Sequence, residues 1–185
     1  MQTPRDLVAA PAIGVDIGGV LIERWDDERY LASPDWELFE RLPVTGALTA
    51  LTQLVDAFAG KVYLVSKCGV RGEYASRLWL SHHRVLEQTG LNPLNVWFCR
   101  QWSDKAEIAR QLGLSSFVDD RIEVLAQMDS VPYRYLFGEL GANALPGMLP
   151  APTWPQLITS IIGAGLVGTP AVPSEPKAAM SGPAS

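Results

Sequence analysis

Residues 13–21 constrain the fold of this chain more than any other stretch. They read Ile-Gly-Val-Asp-Ile-Gly-Gly-Val-Leu, so an apolar run ends on one carboxylate, Asp16, and two glycines follow it closely. A continuous apolar run is typical of a parallel strand that is buried on both faces. Ligands of an open α/β sheet bind at the carboxyl ends of its strands. We therefore expect Asp16 at a binding edge, where Gly18 and Gly19 allow close backbone approach. The alternative is a carboxylate that only caps the next segment.

Strand-like and helix-like segments alternate along the rest of the chain. The further strand predictions are residues 61–66, 95–100, 116–120 and 133–137. The helix predictions are residues 45–58, 73–88, 105–112, 121–128 and 154–162. Strands that alternate with helices form βαβ units and a parallel sheet. The sequence therefore predicts an α/β fold, a Rossmann-like three-layer α/β/α sandwich with a mainly parallel sheet.

The length of 185 residues suits a single domain with a sizeable core. We expect one core domain over residues 1–164, with a short insert at residues 22–42 after the first strand. One or two helical turns in the insert are expected to begin at Ser33, with Pro34 at the first helical position. The segment 165–185 is rich in Pro, Ala and Gly, which predicts a disordered tail.

Composition excludes several classes of function. The net charge of −5 gives no electrostatic reason to expect a nucleic-acid partner. No stretch approaches the roughly 18 apolar residues of a membrane span, and the first residues lack the apolar core of a signal peptide. Cys68 and Cys99 have neither the C-x-x-C spacing nor a metal-ligand spacing, so free thiols in a reducing compartment are expected. These observations favour a cytoplasmic protein. They leave a homodimer open beside a monomer.

Four polar features fall at predicted strand ends or helix starts. They are Asp16, Ser66, Lys105 and the pair Asp119–Asp120. Because successive strand ends of a parallel α/β sheet converge on one edge, we expect these groups to meet there. Carboxylates from two strands suit Mg²⁺ and phosphate oxygens, and hydroxyl and ammonium donors neutralise charge in phosphoryl transfer. An aspartate nucleophile that forms an aspartyl-phosphate is established chemistry.

In order and spacing these features resemble the four motifs of the haloacid dehalogenase-like superfamily, abbreviated HAD-like. There, one strand ends in D-x-D/G-G/x-T/V, a second ends in Ser or Thr, a Lys follows, and a later strand ends in an acidic pair. This chain has VDIGGV at residues 15–20, LVS at 64–66, Lys105, and FVDD at 117–120. The resemblance covers about residues 12–137, and it implies a HAD-like core with little or no cap.

The resemblance also implies a Mg²⁺-dependent phosphohydrolase that acts through an aspartyl-phosphate on Asp16. The implied metal ligands are Asp16, the carbonyl of Gly18 and Asp120, with Asp119 in support. The residues implied in catalysis or in holding the phosphoryl group are Asp16, Gly18, Gly19, Ser66, Lys67 and Lys105. The implied partner is a phosphorylated substrate, either a nucleotide or a larger phosphorylated molecule.

Gly18 departs from the usual pattern of the family, because most of its phosphatases carry a second aspartate there as the general acid. General acid catalysis is typically worth about 10²–10⁴-fold, so its absence predicts slow turnover, a good leaving group or another proton source. Substitutes for that acid are Glu23, Asp26, Asp27 or a water. The insert at 22–42 is too short for a helical cap domain, so an open site is expected, and Trp25, Trp36 and Trp102 lie in segments flanking it.

Two other hypotheses compete with the enzyme. In the first, a protein with the same fold is catalytically weak or inactive and binds a phosphorylated ligand or a protein partner. The glycine at position 18 in place of the second aspartate, and the segment 165–185 rich in Pro and Ala, would agree with this hypothesis. In the second, residues 13–20 resemble the first phosphate loop, D-x-G-G-T, of the sugar-kinase and actin-like ATPases. That fold requires two such domains and a second D-x-G loop, and it would leave Lys105 and Asp119–Asp120 unexplained. The presence of Asp16, Lys105 and Asp120 together favours the enzyme.

Overall fold

The computed structural model describes residues 10–25, 27–138 and 144–163 of the chain. Its sheet has six strands in the order β3-β2-β1-β4-β5-β6, and every recorded strand pairing is parallel. The strands are β1 Ile13–Val15, β2 Val62–Lys67, β3 Val96–Cys99, β4 Ser116–Asp119, β5 Tyr133–Phe137 and β6 Met148–Ala151. The helices are α1 Asp27–Ala32, α2 Asp35–Phe39, α3 Ala47–Ala57, α4 Val70–His82, α5 Val85–Thr89, α6 Trp102–Gln111, α7 Ile122–Leu125 and α8 Trp154–Gly163. The structure confirms the predicted Rossmann-like α/β fold.

Strand β1 lies at the point where the strand order reverses. It pairs with β2 on one side and with β4 on the other, so that Val15 lies beside both Leu64 and Val118. The pairing extends one residue further, because the backbone N–H of Asp16 donates to the carbonyl of Val118 at 2.9 Å. A crevice opens at such a reversal beyond the carboxyl ends of the strands, where α/β proteins bind ligands.

Two apolar clusters cover the two faces of the sheet. The first packs α3, α4, α5 and α8 against residues such as Ile13 and Val15. The second packs α6 and α7 around Phe117, Leu125 and neighbouring side chains. Gly14 lies between Ile13 and Val15, and a Cβ at this position would collide with the ring of Phe117. The strand that precedes Asp16 is therefore buried on both faces, as its composition indicates.

Three features of the fold differ from the sequence prediction. In the insert, α1 was not predicted, and Pro34 is the cap of α2 rather than its first helical residue. Strand β6 was not predicted, and it extends the sheet beyond β5 with the residues Met-Leu-Pro-Ala. The helix predicted over 73–88 is divided into α4 and α5, because Arg84 adopts a left-handed conformation with φ 48°. In that conformation the chain cannot continue an α-helix.

The insert is compact and lies against the core. After β1 the chain turns back on itself, since the N–H groups of Leu21 and Ile22 both donate to the carbonyl of Ile17 at 2.9 Å. Helices α1 and α2 follow, and α2 packs against α4. The segment 165–185, predicted as a disordered tail, lies outside the described residues. Among the described helices, none is long and apolar enough to cross a membrane.

Candidate active site

A buried ammonium joins two carboxylates at the carboxyl edge of the sheet. Lys105 Nζ lies 2.8 Å from Asp16 Oδ1 and 2.8 Å from Asp119 Oδ2. The side chains of Lys105 and Asp119 are 2% and 0% exposed, so water screens neither interaction strongly. Charges buried to this degree are found almost only when they are paired, and here both partners are in place.

Three elements of the fold bring these groups together. Asp16 follows β1, Asp119 is the last residue of β4, and Asp120 comes directly after it. Lys105 lies in the first turn of α6, and the start of that helix is fixed by Asp104, whose carboxylate accepts the backbone N–H of Gln101 at 2.8 Å. The residue at the cap position of this helix is Gln101.

Asp120 combines one satisfied and one unsatisfied carboxylate oxygen. Its Oδ2 accepts from Arg24 Nη1 at 3.0 Å, and Arg24 belongs to the insert. Its Oδ1 is buried and has no hydrogen-bond partner among the described residues. Gly19 has φ 83°, and a Cβ at this position would overlap Asp120 Oδ2. The second glycine is therefore required both by its backbone conformation and by the space that Asp120 occupies.

The three aspartates have the chemistry of a divalent-metal site. Asp16, Asp119 and Asp120 each offer one carboxylate oxygen, and these oxygens lie within 4.8 Å of one another. Lys105 and Arg24 together compensate two of the three negative charges, and Asp120 Oδ1 has no cation or donor beside it among the described residues. Hard oxygen ligands and excess negative charge are what Mg²⁺ and Ca²⁺ require. The residues present therefore fit a hard divalent cation.

The mutual proximity of these groups shifts their pKa values. Burial lowers the pKa of Lys105, but the carboxylates of Asp16 and Asp119 outweigh this effect and hold it above its ordinary value. Burial and the charge of Asp16 raise the pKa of Asp119 to about 7, although Lys105 opposes the shift. Burial and Asp16 also raise the pKa of Asp120. In the absence of a metal, the cluster therefore holds more negative charge than its surroundings favour.

The structure brings six of the eight predicted site residues to the lining of one cleft. They are Asp16, Gly18, Gly19, Ser66 and Lys67 from the end of β2, and Asp120. Lys105 and Asp119 lie beneath the cleft and reach it through the ion pair with Asp16. Ser66 is 6% exposed, which agrees with a hydroxyl at the bottom of a cleft rather than on the surface.

Five further cleft residues were not predicted as site residues. They are Arg24, Trp25, Tyr30, Arg41 and Arg121. Of the three tryptophans expected to flank the site, Trp25 lines the cleft. Trp102 lies beside it, with Lys67 Nζ 5.4 Å and Arg121 Cζ 5.3 Å from its ring centroid. Trp36 is 58% exposed and does not line the cleft. Arg24 and Arg41 belong to the insert at residues 22–42, whereas Arg121 directly follows Asp120.

Of the residues considered as substitutes for the missing acid, Glu23 does not line the cleft. Glu23 is exposed and lines a neighbouring hollow with Trp25 and Arg41. Asp26 and the side chain of Asp27 lie outside the described part of the structure. Among the described residues that line the cleft, Asp16 and Asp120 are the only carboxylates.

Comparison with known proteins gives matches at the level of structure. No protein-family model matches the sequence, and no curated protein matches it significantly. A crystal structure from Mesorhizobium loti, assigned to the HAD-like phosphatases, is similar over 86% of this chain and 88% of its own, with 19% identity and a TM-score of 0.53. A HAD family hydrolase from Deinococcus radiodurans R1, crystallised with phosphate and sodium, is similar over 85% of this chain and 98% of its own, with 17% identity and a TM-score of 0.54. The chain therefore has the fold of the haloacid dehalogenase-like superfamily.

Proposed function

We propose that this chain is a Mg²⁺-dependent phosphohydrolase that acts through an aspartyl-phosphate on Asp16. The observation that carries the proposal is the buried Asp16–Lys105–Asp119 arrangement beside Asp120, at the reversal point of a HAD-like sheet. Perturbed ionisable groups that converge on a cleft are typical of catalytic sites. The names of the two similar structures, a phosphatase and a hydrolase, agree with this activity.

Asp16 is the nucleophile in the proposed mechanism. Lys105 Nζ holds Asp16 Oδ1, which leaves Oδ2 to attack phosphorus. The bond between phosphorus and the leaving oxygen breaks, and that oxygen departs with the electron pair. In the second step a water attacks phosphorus, loses its proton to the solvent, and releases inorganic phosphate and the Asp16 carboxylate. Throughout, Lys105 fixes the orientation of Asp16 and offsets negative charge.

Ser66 and Lys67 are placed to hold the other oxygens of the phosphoryl group. Both line the cleft with Asp16, and they offer a hydroxyl and an ammonium. Asp16, Asp120 and the carbonyl of Gly18 would bind the metal ion, with Asp119 in support through Lys105. A bound Mg²⁺ would neutralise phosphate charge and position the substrate.

Protonation of the leaving group is the step for which the described cleft offers no dedicated carboxylic acid. We therefore propose that substrates with good leaving groups are hydrolysed fastest, and that alkyl phosphates depend on a proton from water. The cleft is bounded by an insert of two short helices rather than by a cap domain. This accessibility and the aromatic residues around it suit a nucleotide or a larger phosphorylated molecule.

The test is phosphate release from a panel of nucleotides, sugar phosphates and p-nitrophenyl phosphate, with and without Mg²⁺. Wild type is compared with Asp16→Asn, and Asp56→Asn on the exposed side of α3 is the matched control. We expect release that requires Mg²⁺, is lost in Asp16→Asn and persists in Asp56→Asn. Release that survives Asp16→Asn would overturn the nucleophile assignment.

A second candidate is a catalytically inactive protein that binds phosphorylated ligands. Gly18 favours it, because the position of the usual general acid is empty of side chain. This candidate predicts no turnover on the panel, together with binding of phosphorylated compounds that is unchanged in Asp16→Asn. Calorimetric titration of both proteins, with Mg²⁺ present, separates the two.

A further inference from the structure

The cleft is lined by cations although the chain carries a net charge of −5. Arg24, Arg41, Lys67 and Arg121 line it together with Asp16. Arg24 forms an ion pair with Asp120, and Lys67 and Arg121 lie 5.4 and 5.3 Å from the ring centroid of Trp102. Arg41, from the last part of the insert, also lies near an aromatic ring, that of Trp25, but it has no carboxylate partner among the described residues.

The backbone of Arg41 is anchored to α4 and the residue after it. Its carbonyl accepts a hydrogen bond from Trp79 Nε1 at 2.7 Å and another from His83 Nε2 at 3.0 Å. Trp79 is fully buried, so the first bond ties Arg41 directly to the core. The guanidinium lies 4.7 Å from the ring centroid of Trp25, an arrangement that restricts the side chain further. The cation is therefore held in place before any ligand arrives.

Among the described residues, the guanidinium of Arg41 contacts the ring of Trp25 but has no carboxylate partner and no hydrogen-bond partner for its Nε. Its Nε is buried without a hydrogen-bond partner, and no carboxylate of the described residues lies within ion-pair distance, 4.0 Å. Glu23, the acidic residue that acts on it electrostatically, is exposed. A buried donor without a partner is unfavourable unless a ligand satisfies it. An anchored, unpaired arginine beside a catalytic cleft has the properties of an anion receptor.

Arg41 also borders the space next to the phosphoryl site. It lines the cleft with Asp16 and Ser66, and it lines an adjoining hollow with Ser66, Tyr30 and Cys68. Ser66 and Lys67 are common to both spaces, so a ligand held at Ser66 can extend from one into the other. A substrate whose phosphoryl group is at Asp16 would present its remaining part to Arg41.

We infer that Arg41 is a specificity residue that binds a second anionic group of the substrate, a phosphate or a carboxylate. This inference rests on the proposed function for its phosphoryl end. The planar guanidinium matches either group with two parallel hydrogen bonds. Substrates with a single phosphate and no other charge would leave Arg41 unsatisfied, and a site built for a polar group discriminates against ligands that lack it.

Two matched ligand pairs test this inference and separate the two sources of charge. Comparison of 3-phosphoglycerate with glycerol 3-phosphate tests whether Arg41 binds a carboxylate. Comparison of fructose 1,6-bisphosphate with fructose 6-phosphate tests whether Arg41 binds a second phosphate. The readout is the ratio of kcat/KM within each pair for wild type and Arg41→Met. We expect wild type to prefer the doubly anionic member of at least one pair. Arg41→Met should lower that ratio about 10- to 100-fold through KM, since it removes a charged hydrogen-bonding partner.

Arg29→Met is the matched control, because Arg29 Cζ also lies over the Trp25 ring, at 3.9 Å, yet Arg29 does not line the cleft. The ratio should stay at the wild-type value in this control. Arg41→Lys keeps a charge without the planar geometry, so an intermediate ratio is expected even if Arg41→Met is poorly folded. A wild-type ratio near one for both pairs, or a ratio that Arg41→Met and Arg41→Lys leave unchanged, would overturn the inference.

Ligand binding separates failure of this inference from failure of the proposed function. In Asp16→Asn, calorimetry with Mg²⁺ gives the affinity ratio within each pair without turnover, and adding Arg41→Met should lower it. If Arg41→Met lowers the affinity ratios but wild type hydrolyses none of the compounds, the role of Arg41 is supported and the phosphohydrolase activity is overturned. If wild type hydrolyses the compounds, Asp16→Asn does not, and the affinity ratios are independent of Arg41, the phosphohydrolase activity is supported and the role of Arg41 is overturned.

Discussion

Gly18 and Gly19 are adjacent in sequence but play different parts in the structure. Gly18 is exposed, its φ is not positive, and nothing lies within 4 Å of a Cβ placed there. Gly19 has φ 83° and no room for a Cβ beside Asp120. A side chain can therefore be added at the first position without strain, whereas the second must remain glycine. This contrast makes the missing general acid testable by restoring one.

Gly18→Asp should increase turnover of alkyl phosphates, because it places a carboxylic acid at the mouth of the cleft. General acid catalysis is worth about 10²–10⁴-fold in evolved sites, and we expect an increase near the lower end of that range. Steady-state kinetics on alkyl phosphates and on p-nitrophenyl phosphate give the comparison, and the good leaving group should gain much less. Gly18→Asn is the matched control, since it has the same shape without the acid. Equal gains in both variants would contradict an acid role.

The raised pKa of Asp119 makes the metal-free protein sensitive to pH. Its pKa of about 7 in the folded state, against an ordinary 3.8, means that folding favours the protonated form. The unfolded chain binds fewer protons between these values, so this group lowers the free energy of unfolding as the pH rises through them. Denaturant unfolding in the presence of a chelator, from pH 4 to pH 8, measures the effect. Wild type should lose stability relative to Asp119→Asn over this interval, and parallel curves would contradict the prediction.

At the scale of elements, α8 supports a loop that is distant in sequence. Trp154, the first residue of α8, is fully buried and packs against Phe137 with ring centroids 5.2 Å apart. Its Nε1 donates to the carbonyl of Val20 at 3.0 Å, across 134 positions of the chain. Val20 closes the loop that carries Gly18 and Gly19. A helix outside the four predicted motifs therefore fixes the backbone beside Asp16.

Trp154→Phe should weaken both the fold and the site. It keeps most of the apolar contact but leaves the buried Val20 carbonyl without its donor, which costs about 1–3 kcal/mol. Denaturant unfolding measures the loss of stability, and phosphate release at a temperature where the variant is folded measures the effect on the site. Trp36→Phe on exposed α2 is the control, with no expected change. An unchanged free energy of unfolding in Trp154→Phe would show that the hydrogen bond from Trp154 to the Val20 carbonyl makes no net contribution to stability.

The sequence predicted the elements whose signal is local and missed those that depend on neighbours. Strands β1 to β5 were recognised from apolar runs, whereas β6 has four residues, one of them Pro150, and is stabilised by pairing with β5. Arg84 carries no sequence signal for its left-handed conformation, so the break between α4 and α5 was not foreseen. Asp16, Lys105 and Asp119 were found because each follows a recognisable strand or begins a helix. Arg41 was missed because tertiary packing of the insert decides its position.

At the scale of the whole molecule, the sheet order determines which groups can share a ligand. β1 and β4 are neighbours at the reversal point, so Asp16 after β1 and Asp119 at the end of β4 lie at the same edge of the sheet, where both contact Lys105. A cation bound there would connect the two halves of the sheet. Ligands that bind only the folded state stabilise it by mass action. Stability should therefore report metal binding without any assay of activity.

Mg²⁺ should raise the melting temperature of wild type measured after treatment with a chelator. At a free concentration 100 times the Kd, binding adds about 2.7 kcal/mol, or about 5–10 °C for a protein of this size. Asp120→Asn removes one carboxylate of the cluster, so its rise should be much smaller at the same concentration. Calorimetric melting of both proteins in a Mg²⁺ series tests this. An equal rise in the two would exclude the aspartate cluster as the binding site.

The parallel pairing of β1 also has a consequence for synthesis on the ribosome. The Ser115 hydroxyl exchanges two hydrogen bonds, at 3.2 and 3.0 Å, with the backbone of Ala12, although the two residues are 103 positions apart. Translation proceeds at about 5–20 residues per second, so β1 waits roughly 5–20 s for this partner to be made. In the native sheet β1 pairs with β2 on one edge and with β4 on the other. During that interval β1 has no β4 to pair with. Strand β1 is among the first parts of the described chain to be translated, and its pairing in the sheet cannot be completed until β4 has left the ribosome.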